Sequence, residues 1–131
     1  MNTYSALALQ MDCSAVNHLP DRAAVQQAMM RALERVDNLI AGSKGFISTF
    51  SGDTLKLVVL PEYFLTGFPM GESIDAWRSK ACIEIDGPEY RRLGELASSR
   101  GVYISGNAYE LDPHFPNLYF QTSFIINDEG Q

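Results

Sequence analysis

A nearly unbroken apolar run, Leu55 to Leu60 (LKLVVL), ends abruptly at Pro61. Preceded by a long helical pattern, such a run predicts a central strand buried on both faces. A strand of this kind commits the chain to a layered α/β architecture. The next residue is Glu62, which sets a carboxylate in the crevice at the strand's C-terminal end. Open α/β sheets place their ligands there.

The flanking patterns supply the layers. Tyr4 to Met11 reads as a first strand. Pro20-Asp21 then opens a helix whose apolar stripe runs through Val25, Ala28, Met29, Ala32, Leu33, Val36, Leu39 and Ile40, with Gly42 as its stop. Gly42 to Asp53 is rich in Gly and Ser and reads as a loop, and Ile74 to Lys80 as a short amphipathic turn. Pro88 suits the first position of a second helix, with Tyr90, Leu93, Leu96 and Ala97 facing inward and Gly101 closing it. Strands are expected over Val102 to Tyr109 and Leu118 to Ile126. The order β-α-β-α-β-β predicts a mixed sheet with helices on one side. Asn127-Asp128-Glu129-Gly130 is strong turn chemistry, yet only Gln131 follows, so the expectation is a truncated single domain over residues 1–131.

Composition narrows the function classes. Among 131 residues, 16 are acidic and 10 basic, a formal net charge of −6. The basic residues are scattered, which argues against a nucleic-acid partner, since phosphate neutralisation needs clustered Lys and Arg. Cys13 and Cys82 form no CxxC pair, and His18 and His114 stand alone in loops, so neither a disulfide framework nor a metal site is expected. No cofactor is implied. The N-terminus lacks signal-peptide character, and no apolar stretch approaches the ~18 residues of a membrane span. A cytoplasmic protein with no membrane contact is expected.

Glu62 carries the chemistry. A carboxylate in a low-dielectric strand mouth would be tuned toward general-base work near neutral pH. The alternative is a strand-end Glu that caps a helix or pairs with a surface Lys. Tyr63, Phe64 and Phe68 either line a substrate pocket beside it or simply pack the strand end. Neither Cys has a neighbour in sequence that would lower its pKa, so both are expected to be inert. Lys56 should point away from the mouth or toward an edge, and Lys80 reads as a solvated helix residue.

The residues Val58-Val59-Leu60-Pro61-Glu62, followed by Gly67-Phe68-Pro69, closely resemble the first signature of the nitrilase superfamily of carbon–nitrogen hydrolases. Tyr4 to Gln10, Asp21 to Ala41, Asp86-Gly87-Pro88, Val102 to Gly106 and Asn117 to Gln131 resemble the family's successive segments in order, so the likeness covers essentially the whole chain. It implies the N-terminal part of an αββα sandwich, with helices on the outer face of a mixed sheet. It also implies hydrolysis of a nitrile or amide carbon–nitrogen bond in a small molecule. In that mechanism a Cys thiolate attacks, a Lys stabilises the oxyanion and a Glu moves the protons. Only Glu62 matches; the Lys and Cys are expected beyond residue 131. Pairing into a homodimer or higher homo-oligomer is implied as well; the stripe at Met29, Met30 and Ala32 is compatible with such a face, and core burial explains it equally. The contrasting reading is a non-catalytic fragment or interaction module.

Overall fold

In a computed structural model, residues 3–131 are described. The elements are β1 (Ser5–Ala8), α1 (Arg22–Phe50), β2 (Leu55–Val59), α2 (Ile74–Ala81), β3 (Ile83–Glu84), α3 (Pro88–Arg100), β4 (Tyr103–Leu111) and β5 (Phe120–Ile126). β1, β2 and β4 run parallel side by side, and β3 joins β4 in parallel at Glu110 and Leu111. β5 pairs antiparallel along the other edge of β4, from Ile104↔Ile126 to Glu110↔Phe120. The mixed sheet expected from the sequence is therefore present, with two short elements, α2 and β3, filling the stretch before α3.

Helix α1 starts where the sequence signals it. Asp21 Oδ1 accepts from the Ala24 amide at 2.9 Å and caps the first turn. Val25, Met29, Leu33, Val36 and Ile40 are fully buried along one face. At roughly 1.5–3 kcal/mol per side chain, that stripe contributes on the order of 10 kcal/mol before chain entropy. Met29 is thus committed to the core and leaves no pairing surface, while Met30 and Ala32 are half-buried against the same cluster.

The expected stop at Gly42 is wrong. The helix continues for two more turns, through Gly45, to Phe50. Each interior Gly costs about 1 kcal/mol relative to Ala. Tertiary contacts outweigh that penalty: Ile47 packs on the core, and Lys44 Nζ donates to the Arg100 carbonyl at the end of α3. Helix α3 behaves as its sequence suggests, with Pro88 at the start and Gly101 at φ 63° as the left-handed stop.

Among the described residues the helices cover one face of the sheet. Val58, Ile104, Ala108 and Ile126 pack beneath α1 and α3. The opposite face carries the register row Ala8–Val59–Ser105–Ile125 and, beside it, Ala6–Leu57–Tyr103. Val59, Tyr103 and Ile125 are 42%, 41% and 69% exposed. The expectation that β2 is buried on both faces is corrected accordingly. Its apolar character is real, but the second face is covered only around Tyr109, where Tyr63, Trp77 and Tyr119 pack, and Val59, Tyr103 and Ile125 stay open.

Candidate active site at the end of β2

The β2–β4 ladder runs one residue beyond β2, with the Leu60 amide donating to the Ser105 carbonyl at 2.8 Å. Pro61 then removes a donor and turns the chain out of the sheet. Glu62 follows on the surface, and its Oε1 accepts from Gln121 Nε2 at 3.1 Å. The carboxylate therefore stands at the predicted strand end, but the described residues do not enclose it in the expected low-dielectric hollow. The reason is the bare sheet face beside it.

The loop after Glu62 is held firmly. Tyr63 has φ 54°, a left-handed conformation that a non-glycine residue adopts at a cost of about 1–2 kcal/mol. Its amide donates to Asn107 Oδ1 at 2.9 Å, and its carbonyl accepts from Thr66 at 3.1 Å and Gly67 at 2.9 Å. Gly67, at φ 68°, fits because an added Cβ would lie 3.1 Å from Ala15 Cα. Asn17 Nδ2 reaches the carbonyls of Phe68 (3.1 Å) and Pro69 (2.9 Å) and Glu72 Oε1 (3.0 Å). Lys80 Nζ meets Glu72 Oε2 at 2.8 Å and the Asn17 carbonyl at 3.1 Å. Lys80 is consequently a mostly buried tie across the loop, not the solvated residue its helix position suggests.

Aromatic rings flank the loop. Tyr63 stacks on Tyr109 at 5.0 Å and touches Phe68 at 4.4 Å, while Tyr119 meets Tyr109 edge-on at 5.4 Å. Burial, then the Tyr63 hydroxyl, hold the Tyr109 phenol well above its usual range, so it stays neutral. Phe64 does not share this setting. It is buried in the core and borders a cavity of about 190 Å³, whose wall also includes Val16, Ala28, Ala32 and Leu65 but not Glu62. It supports the loop from beneath.

Burial favours the protonated form of both thiols, far more for buried Cys82 than for exposed Cys13. Burial pushes Cys82 up to about 12, only partly opposed by Arg22 and Arg78. Burial also raises Cys13, with Arg35 acting against it and Asp12 with it. Lys56 is half-exposed and lies 4.0 Å from Asp128, away from Glu62. Among the described residues no three His, Cys, Asp or Glu side chains cluster as metal ligands, and no helix is long and apolar enough to cross a membrane.

Asn107 and Gln121 carry no signal in the linear sequence. They emerge from the β4–β5 register, in which Asn107 opposes Ser123 and Tyr109 opposes Gln121 on the face that Glu62 reaches. Knowing that register in advance would have been the only route to them.

The fold is a mixed α/β layer with a carboxylate just past a parallel strand and a clamped loop after it. The carbon-nitrogen hydrolase family matches residues 18–131, and the chain belongs to that family. It is similar to nitrilase 3 and nitrilase 2 of Arabidopsis thaliana, each 32% identical over 100 residues and 66% of this chain. The chain spans under a third of those relatives, 28% and 29% of their lengths. Among solved structures, Nit3 of Saccharomyces cerevisiae, a member of branch 10 of the nitrilase superfamily, superposes with a TM-score of 0.61 at 26% identity. That match covers 79% of this chain and 36% of Nit3. An N-terminal amidase with an Asn-Glu peptide gives a TM-score of 0.64 over 95% of this chain and 25% of its own, and at 15% identity it speaks to the fold alone.

Proposed function

We propose that this chain is the base-bearing N-terminal part of an enzyme that hydrolyses the carbon–nitrogen bond of a small nitrile or amide, with Glu62 as general base. The observation that carries the reading is the position of Glu62, directly after a parallel strand within the segment that matches the family. Glu62 would take the proton of a Cys thiol and later activate the hydrolytic water, while a Lys stabilises the oxyanion. That thiol and that Lys would come from chain beyond residue 131. Tyr63 and Phe68 would form the pocket wall next to Glu62, and their apolar rings favour a small aliphatic or aromatic substrate. The working form would be a homo-oligomer.

The same reading makes the 131-residue chain inactive by itself, because the Cys and Lys it requires would come from beyond residue 131, and burial favours the protonated form of both Cys82 and Cys13. The test is Glu62→Gln in a protein that carries this segment together with its nucleophile. Turnover should fall by about 10²–10⁴-fold, the range a positioned general base supplies, while the fold is kept. Near-normal turnover in a folded variant would remove the base role from Glu62.

A further inference from the structure

We infer that Asn107 is a positioning residue for Glu62, acting through the backbone of Tyr63; the inference rests on the general-base reading above. Tyr63 is the residue immediately after the carboxylate, and its left-handed φ of 54° sets the direction in which the chain leaves Glu62. Backbone in that region persists only where its surroundings over-determine it. Here the Asn107 side chain supplies the acceptor for the Tyr63 amide at 2.9 Å. A second strand completes the grip, since Gln121 on β5 donates to the Glu62 carboxylate at 3.1 Å. Asn107 and Gln121 are diagonal neighbours on one face of the β4–β5 pair. The Tyr63 backbone amide and the Glu62 carboxylate next to it are thus each held by an amide side chain, from adjacent strands.

The residue type points the same way. Asn is disfavoured within strands, yet Asn107 occupies the middle of the nine-residue β4. A residue that breaks a local preference in this way is expected where it serves a site. A β-branched side chain at 107 would suit the strand better but would leave the Tyr63 amide without its acceptor.

The experiment follows the Tyr63 amide, the Glu62 carboxyl and the Gln121 side-chain amide by NMR in the 131-residue chain. In the parent chain the Gln121 amide shift should track the protonation of Glu62. Asn107→Leu should speed exchange of the Tyr63 amide by about tenfold or more and uncouple Gln121 from Glu62. Asn107→Asp returns an acceptor oxygen at the same reach and should restore both. If Asn107→Leu fails to fold, Asn107→Ser, too short to reach Tyr63, takes its place with the same two readouts. A folded Leu or Ser variant in which Gln121 still tracks Glu62 would overturn the inference, as would an Asp variant that restores neither signal. None of these readouts needs turnover, so their failure is distinct from a failure of the Glu62→Gln assay.

Discussion

Arg22 Nη2 on α1 lies 3.1 Å from Glu89 Oε1 on α3, and the Glu89 side chain is fully buried. Gln26 Nε2 adds a second donor to the same oxygen at 3.2 Å, while Oε2 has no partner among the described residues. The pair ties the two helices at their N-terminal ends, and the carboxylate also sits in the first turn of α3, where the helix dipole favours it. Removing one partner of a buried pair strands the other charge. With Arg22 a third exposed and Gln26 still donating to Glu89, Arg22→Met is expected to lower stability by about 1–3 kcal/mol, and Arg22→Met combined with Glu89→Gln to recover a large part of that loss. Urea unfolding checks it. Equal losses in the single and double variants would show that the stranded charge is not what matters.

Two glycines predict opposite responses to the same change. A Cβ on Gly94 would lie 2.6 Å from the Gly130 carbonyl oxygen, so Gly94→Ala should push the 127–130 turn off α3 and destabilise the protein by about 1–3 kcal/mol. Gly42 lies inside α1 with open space around it, and Gly42→Ala should stabilise by about 0.5–1 kcal/mol. Thermal melts of the two variants should shift in opposite directions.

Alkaline pH should unfold the protein in a defined direction. Cys82 rises from 9.0 to about 12 through burial, so the folded state keeps a proton that the unfolded chain releases. Half-buried Tyr90 and buried Tyr109 are raised in the same sense. The Cys82 contribution is fully present below pH 9.0 and declines as pH climbs toward about 12, and the tyrosines' contribution starts to decline only above pH 10.0. Cys82→Ala should flatten that decline in a series of melts, and Cys82 should resist alkylation at pH 8 while exposed Cys13 reacts.

The bare sheet face should make the 131-residue chain associate. Val59 and Ile125 share one row of that face and are both exposed. Apolar surface of this kind drives association. Sedimentation should show oligomers that grow with concentration, and Val59→Lys with Ile125→Lys should suppress them. A sharp monomer boundary at every concentration, with a cooperative melt, would contradict this.

The sequence exposes what depends on local pattern. The α1 stripe, the Asp21 and Gly101 ends and the order of the main strands all follow from periodicity and turn chemistry, and they are where the sequence places them. It misleads where distant contacts decide. Gly42 looks like a stop because propensity says nothing of Lys44 meeting the end of α3. Lys80 looks solvated because its partners, Glu72 and Asn17, come from separate loops. Glu62 is legible as the strand-end carboxylate, but its openness to water is not, because the burial of a strand's second face depends on what packs above it.

Among the described residues the sheet holds its register and one sealed core without a second helix layer, since β1, β2, β4 and β5 are paired and Val58, Ile104 and Ile126 lie under α1 and α3. Cooperative units of this kind form domain by domain as a chain emerges during synthesis. Any chain continuing past Gln131 would therefore meet a finished platform, whose exposed Val59 and Ile125 sit ready as a template for what folds next.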